Sequence, residues 1–324
     1  MSTPFIRLKE LTKIYSLGVL GKKKIVAVDR VSFDIRSGEI LSILGESGSG
    51  KSTIAKMVLR LLKPSGGNIV MYTSERAIDP WNLRKWSEIK EYFRRVQGVF
   101  QDPYASFNPR RKVLDVLYDT VRNFFPELKD NPTAAKTMIS DVLEGLGLRI
   151  QDLEGKYPHQ LSGGQLQRVS IARALLPKPQ FIIADEPVSM VDASTRIDIL
   201  NIFINLKKEY GVTPVVITHD YSLAHYASDR IVVLYRGQLM EEGPPEVLEE
   251  PNHPYTKLLK ESVPLIDRTW GAKLKYSAGS IDITKRTKGC VFADRCPFKR
   301  QICEVKEPPL IDLGRVKVKC WLYA

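Results

Sequence analysis

The sequence of 324 residues is poor in cysteine, and its first 289 residues contain none. Most of the chain therefore cannot be joined by disulfides, and a chain of this length buries roughly 75% of its unfolded surface without them. The sequence also lacks a basic segment followed by an apolar run at its start, and no apolar stretch approaches the ~18 residues of a membrane span. We therefore expect a protein of the cytosol, where thiols stay reduced.

Acidic residues are outnumbered by basic ones, 37 to 49, which gives a net charge of +12. A solvated, lysine-rich surface explains this charge, and so does contact with nucleic acid, anionic lipid or polyphosphate. The basic runs are short and are not interleaved with aromatic residues. Charge alone therefore assigns no partner.

Short apolar runs alternate with helical patterns through much of the chain. The runs end in glycine or in polar residues, and they lie at 31–35, 38–45, 96–100, 181–185, 214–218 and 230–235. Helical patterns cover 51–62 and 194–209. Continuous apolar runs that alternate with helices predict an α/β fold with a parallel sheet covered on both faces.

Two stretches depart from this alternation. From about 110 to 177 only helical patterns occur, which indicates a helical subdomain inserted at about 103–177. After about residue 250 the periodicity weakens and prolines become more frequent. We therefore predict one domain over 1–250 and a C-terminal extension over 251–324.

The segment GESGSGKS fits the pattern G-x-x-x-x-G-K-[ST] and lies between a predicted strand and a predicted helix. Its glycines allow backbone N–H groups to surround a phosphate at a helix N-terminus. Lys51 adds a positive charge, and Ser52 offers a hydroxyl to Mg²⁺. A glycine-rich turn that arose by chance is the alternative. The predicted nucleotide-binding residues here are Gly45, Glu46, Ser47, Gly48, Ser49, Gly50, Lys51, Ser52 and Thr53.

The apolar run FIIAD ends in two acidic residues at the carboxyl end of a predicted strand, where open α/β sheets bind ligands. Asp185 can hold Mg²⁺ through its water shell. Glu186 can polarise an attacking water as a general base. The alternative is that both acids cap the next helix.

The segment LSGGQLQRVSIARAL, at 161–175, opens a helical pattern with one serine and two glycines. It predicts a second anion-binding helix N-terminus. With the two preceding motifs, it resembles the signature of the ATP-binding cassette ATPases. That resemblance implies a RecA-like P-loop core with an antiparallel β subdomain and an inserted helical subdomain, plus a small cysteine-containing C-terminal extension. It also implies that the residues Ser162, Gly163, Gly164 and Gln165 face ATP bound by a partner cassette.

The resemblance implies further roles. Gln101 in VFQDP resembles the glutamine that contacts Mg²⁺ or water and couples to a transmembrane partner. His219 in VVITHD resembles the histidine that contacts the γ-phosphate. SMVD, at 189–192, resembles the loop after the acidic pair. Tyr15 occupies the place of the aromatic residue that stacks on adenine, and a core tyrosine on an edge strand is the alternative.

Cassette ATPases of chromosome maintenance insert long coiled coils between the two nucleotide motifs, and those of translation carry two signature motifs. Here Lys51 and Asp185 are 134 positions apart, and one signature motif occurs. FQDPYASFNPR, KYPHQLSGGQ and HPYTKLL are similar to the F-type ATPase subunit of oligopeptide/dipeptide importers. This implies a D-type sister ATPase, two membrane permeases, an external solute-binding protein, a place at the cytoplasmic membrane face and no nucleic acid. The Lys/Glu-rich composition favours a thermophile, so cellodextrins stay open beside peptides and nickel chelates as cargo.

The cysteines Cys290, Cys296, Cys303 and Cys320 follow the spacing C-x5-C-x6-C-x16-C. Zinc modules usually contain C-x2–4-C pairs, which are missing here. Four thiolates can hold a [4Fe–4S] cluster, and two disulfides or four unpaired thiols are further alternatives. Some ATPase subunits of the oligopeptide/dipeptide importers, which this sequence resembles, bind such a cluster in their C-terminal extension. We therefore expect a [4Fe–4S] cluster, with Zn²⁺ as the alternative. A redox enzyme is not favoured, because the sequence contains no flavin or nicotinamide motif.

Overall fold

The computed structural model describes residues 4–17, 23–263 and 288–324. Residues 264–287 of the predicted extension lie outside the described residues. The strands are β1 Pro4–Leu17, β2 Lys23–Arg36, β3 Leu41–Leu44, β4 Gly66–Tyr72, β5 Ala77–Ile78, β6 Val96–Val99, β7 Phe181–Asp185, β8 Thr213–Thr218, β9 Arg230–Tyr235, β10 Gln238–Gly243, β11 Ile311–Asp312 and β12 Lys317–Val318. The helices are α1 Lys51–Val58, α2 Trp86–Arg95, α3 Val113–Phe124, α4 Pro132–Glu144, α5 Gly163–Leu175, α6 Ala193–Tyr210, α7 Tyr221–Ala227, α8 Glu246–Glu249, α9 Pro254–Glu261 and α10 Ile302–Val305.

The chain forms two compact units. The first contains Met1–Trp81 and Ile217–Ala324, and the second contains Asn82–Val216. No helix within the described ranges is both long enough and apolar enough to cross a bilayer. Because strands alternate with helices in both units, the predicted α/β class is confirmed.

One sheet of the first unit is antiparallel, with the strand order β2-β1-β4-β5. Strand β1 lies between β2 and β4, and its residue Ile6 is opposite both Ile35 and Met71. All three side chains are buried. This sheet explains why apolar and polar residues alternate in 31–35, since one of its faces packs on the core.

The other strands of the first unit follow the order β11-β12-β10-β9-β3. Strands β3 and β9 are parallel, and β9 turns through Arg236 and Gly237 into antiparallel β10. Every residue of β3 and β9 is buried, as their continuous apolar runs predict. Strand β3 ends at Leu44, so the next residue opens the glycine-rich segment that leads into α1.

The C-terminal extension shares a hydrophobic core with these strands. Phe292, Cys290 and Cys303 belong to the same buried cluster as Leu44 and Tyr235. Strand β12 also pairs with β10 and so extends the sheet. The extension is therefore packed on β9 and β10, and it shares a core with Leu44, the last residue before the glycine-rich segment.

In the second unit the strand order is β8-β7-β6, and β6 and β7 are parallel. Helices α3, α4 and α5 occupy the stretch that showed only helical patterns. Because the carboxyl ends of parallel strands meet at one edge of a sheet, the residues that follow β6 and β7 lie close together.

Two local predictions were inexact. The helical pattern of 51–62 predicts a longer helix than α1, which ends at Val58 because Arg60 adopts a left-handed φ of 57°. The Arg60 guanidinium instead donates to the carbonyl of Pro80 over 2.7 Å. The segment RVKVKC, at 315–320, is expected to form a closing strand, but only Lys317–Val318 pairs.

Candidate functional site

The glycine-rich segment from Gly45 to Ser52, called the phosphate loop below, wraps around the ammonium group of Lys51. This Nζ donates to the carbonyl oxygens of Gly45 over 2.6 Å and of Glu46 over 2.9 Å. The Lys51 side chain is buried. Gly50, the N-cap of α1, has a φ of 102°, and a Cβ there would lie 2.4 Å from the carbonyl of Ala27. A Cβ would collide with that carbonyl, so only glycine fits this position.

Glu46 is held at its backbone and at its side chain. Its N–H donates to the hydroxyl oxygen of Tyr255 over 2.9 Å. Its carboxylate accepts two hydrogen bonds from the guanidinium of Arg295, over 2.9 and 3.1 Å. The sequence did not identify Tyr255 or Arg295 as partners of the loop.

Two further predicted residues lie in the first unit. Tyr15, on β1, pairs with Ile25 of β2 and is 36% exposed, so it is not a core tyrosine. The ammonium of Lys13 lies 5.5 Å from the centroid of that ring. His219 follows β8 and is exposed, and the next residue, Asp220, caps α7.

The second unit brings Gln101 and Glu186 together. Gln101 Nε2 donates to Glu186 Oε2 over 3.0 Å, and the hydroxyl of Ser189 donates to the same oxygen over 2.9 Å. Glu186 has a φ of 48°, which is uncommon for a residue with a side chain and is typical of functional sites. The preceding Asp185 ends β7 and is buried.

The signature segment forms the start of α5. Ser162 is its N-cap: its hydroxyl accepts the N–H of Gln165 over 3.2 Å, and the Gln165 side chain accepts the N–H of Ser162 over 3.1 Å. This reciprocal capping box fixes the first turn. A Cβ on Gly163 would lie 2.7 Å from the carbonyl oxygen of Met190, so glycine is required there. Gly164 follows, within the same turn.

The four cysteines are thiols rather than disulfides, and all four line one cavity. The N–H of Arg300 donates to the sulfur of Cys303 over 3.5 Å. Burial raises the pKa of Cys290 to about 12 and also raises the pKa of Cys296 and Cys320. Among the described residues, however, no three His, Cys, Asp or Glu side chains are arranged to hold one metal ion. This arrangement of the described residues gives no support to the predicted iron–sulfur cluster or to the zinc alternative.

Two family descriptions match the sequence. Residues 28–189 match the family described as "ABC transporter", and residues 240–303 match "Oligopeptide/dipeptide transporter, C-terminal region". The chain is thus an ATPase with an ATP-binding cassette fold. It belongs to the ATP-binding proteins of the oligopeptide/dipeptide transporter family.

Curated relatives and solved structures agree with this placement. The chain is 36% identical to the oligopeptide transport ATP-binding protein AppF of Bacillus subtilis, over 98% of this chain and 97% of the relative. It is 40% identical to OppF of the same organism, over 82% of this chain and 85% of the relative. A dimeric structure of the ATP-binding cassette MJ0796, in a post-hydrolysis state with ADP and Pi, superposes with a TM-score of 0.64 at 31% identity, over 74% of this chain and 98% of that one. The expected RecA-like cassette fold is confirmed.

Proposed function

We propose that this chain hydrolyses ATP to power the import of oligopeptides or dipeptides, as a peripheral subunit at the cytoplasmic face of a membrane. The observation that carries this proposal is the match of residues 240–303 to the C-terminal region of oligopeptide/dipeptide transporters. Relatives named for oligopeptide transport align over nearly the whole chain, which supports the same conclusion. A cassette ATPase that acts on nucleic acid or in translation is not favoured.

In this proposal, the phosphate loop binds the phosphates of ATP. Lys51 supplies positive charge to the outer phosphates, and Ser52 holds Mg²⁺ with its hydroxyl. Tyr15 stacks its exposed ring on adenine. His219 contacts the γ-phosphate from the exposed turn after β8. Mg²⁺, when bound, neutralises charge that develops on the phosphates during transfer.

The acidic pair and Gln101 have complementary tasks. Asp185 binds Mg²⁺ through water, and Glu186 accepts a proton from the attacking water as general base. The hydrogen bonds from Gln101 and Ser189 orient the Glu186 carboxylate, which supports this role because a base must be positioned before it can act.

The signature turn from Ser162 to Gln165 serves the nucleotide of a second cassette in this proposal. Its capping box holds the backbone of the first turn of α5 in place. Ser162 and Gln165 are exposed, as a surface that meets a partner must be. We assign the partner cassette to a D-type sister ATPase, in a complex with two permeases and an external solute-binding protein.

Binding to the cognate solute-binding protein tests the cargo. We expect di- to pentapeptides to bind it and to stimulate ATP turnover of the reconstituted complex, whereas cello-oligosaccharides should do neither. Binding of cellodextrins without binding of peptides would replace the proposed cargo with a sugar. Nickel chelates are the third class of ligand to be titrated against the solute-binding protein.

We further propose that the four cysteines hold a [4Fe–4S] cluster. All four line one cavity, and the sulfur of Cys303 accepts the N–H of Arg300, a contact that would stabilise a cluster-bound thiolate. These four cysteines would each supply one thiolate ligand to the cluster, so their sulfurs would not need to converge on a single metal ion. The geometry does not favour a single zinc ion, which needs donors that do converge. The cluster would tie the segments of the extension together.

The test is anaerobic purification followed by iron and sulfide analysis and absorption spectroscopy. We expect brown protein that absorbs at about 400 nm, with about four irons per chain. Replacement of all four cysteines by serine should remove both signals. Colourless wild-type protein that takes up no iron on anaerobic reconstitution would contradict the proposal.

A further inference from the structure

The cysteine-bearing part of the extension contacts the phosphate loop directly. Arg295, which lies between Cys290 and Cys303, forms an ion pair with Glu46, 249 positions earlier in the chain. We propose that Arg295 and Tyr255 are positioning residues for ATP binding, which hold Glu46 and so make the affinity for ATP depend on the extension. This inference rests on the proposed role of the phosphate loop in binding ATP.

The ion pair has the geometry that fixes a carboxylate in one orientation. Arg295 Nη1 lies 2.9 Å from one Glu46 oxygen, and Nη2 lies 3.1 Å from the other. Two parallel hydrogen bonds of this kind restrict rotation of both groups. The side chains are only 13% and 27% exposed, so water screens the pair weakly.

Arg295 is itself held in place by aromatic residues. Its guanidinium lies 5.8 Å from the ring centroid of Tyr235 and 5.9 Å from that of Phe292. Its buried Nε has no hydrogen-bond partner among the described residues. The Glu46 carboxylate is therefore the main compensation for this partly buried charge.

Tyr255 fixes the backbone of the same loop residue. Its hydroxyl oxygen accepts the N–H of Glu46, and its ring packs against Tyr235 at a centroid distance of 4.6 Å. The carbonyl of Glu46 in turn accepts a hydrogen bond from Lys51 Nζ. Glu46, held at its N–H by Tyr255 and at its carboxylate by Arg295, therefore helps to orient the lysine proposed to bind phosphate.

The extension sets where Arg295 lies. The N–H of Cys290 donates to the carbonyl of Cys303 over 2.7 Å, which closes the segment that carries Arg295. Phe292, three residues before Arg295, is fully buried between Tyr235 and Tyr255. A displacement of this segment would move the guanidinium away from Glu46 and release the loop.

The experiment is an ATP titration of the full chain, with Kd from a fluorescent ATP analogue and steady-state KM and kcat from turnover. We expect Arg295→Met and Glu46→Gln each to raise Kd and KM about tenfold, with kcat within about twofold of wild type. The double variant should be no weaker than either single one, because both remove the same pair. Arg295→Lys should lie between wild type and Arg295→Met.

Two further variants separate positioning from folding. Tyr255→Phe keeps the ring and removes only the hydroxyl, and it should also raise KM. Lys299→Met removes an exposed charge from the same segment and should change nothing. A merely structural role would lower kcat with the folded fraction and leave KM unchanged.

The inference would be overturned if the four single variants at Arg295, Glu46 and Tyr255 all bound ATP with wild-type affinity. Additive losses of affinity in the double variant would overturn it as well. The proposed function fails differently. Wild-type ATP affinity in Lys51→Ala would overturn the assignment of the phosphate loop itself, and with it the inference that depends on that loop.

Discussion

Gln101 and Glu186 are joined by a hydrogen bond of 3.0 Å from the Gln101 amide to the Glu186 carboxylate. They follow neighbouring parallel strands, so the sheet itself brings them to one edge. The same carboxylate oxygen accepts the Ser189 hydroxyl. The proposed general base therefore has two donors that fix its orientation, and this arrangement can be tested separately from the base itself.

Replacement of Ser189 by alanine should lower kcat for ATP about tenfold, because a hydrogen bond to a charged group contributes roughly 1.5–3 kcal/mol. KM for ATP should stay unchanged, since Ser189 contacts the base rather than the phosphate loop. Ser189→Thr retains a hydroxyl and serves as the matched control. Steady-state turnover across ATP concentrations measures both constants. Equal kcat in all three proteins would show that this contact does not orient the base.

In the complex with the sister ATPase, replacement of Gly163 by alanine should lower turnover of the ATP bound by that sister about a hundredfold. The added Cβ would lie 2.7 Å from the carbonyl of Met190, so the start of α5 must shift. ATP binding to the isolated subunit should persist, because this turn is proposed to serve the nucleotide of a partner. Gly145→Ala is the control, since its Cβ meets nothing closer than 3.4 Å. Full turnover in Gly163→Ala would contradict the assigned role.

Replacement of Arg230 by methionine should destabilise the protein by about 3–5 kcal/mol. Arg230 is buried and forms ion pairs with Glu39 and Glu242, which are also buried. In the absence of the Arg230 guanidinium, Glu242 would still have an ion pair with Lys317, whose Nζ lies 3.7 Å away. Glu39 would lose its ion pair with Arg230. Denaturant unfolding measures the loss. Lys299→Met, which breaks an exposed pair, should cause no measurable change, and an equal effect of both variants would contradict this account.

The sequence predicts those parts of the fold that depend on local patterns. The apolar runs at 181–185 and 230–235 correspond residue by residue to β7 and β9, because both strands are buried on both faces. The glycine-rich segment can be identified from the sequence, because the residues that contact phosphate lie within eight consecutive positions. The left-handed backbone at Arg60, which shortens α1, is not indicated by any pattern of neighbouring residues in the sequence.

Contacts between distant segments could not be predicted in the same way. Tyr255 lies in HPYTKLL, which was identified by family resemblance alone, and Arg295 lies beside Cys296 but was assigned no role from the sequence. Their shared partner Glu46 is more than 200 positions away from each of them. Neither periodicity nor motif spacing links side chains at such distances. Only the fold, which packs the extension onto β9, reveals that the cysteine segment and the phosphate loop meet.

The most direct test of the central claim is ATP binding and turnover by Glu186→Gln. Glutamine keeps the shape of the side chain and its contacts with Gln101 and Ser189 but cannot accept a proton from water. We predict ATP affinity within about twofold of wild type and a loss of turnover of at least about a hundredfold. Turnover at the wild-type rate in this variant, with ATP bound, would contradict the account of how this cassette hydrolyses ATP.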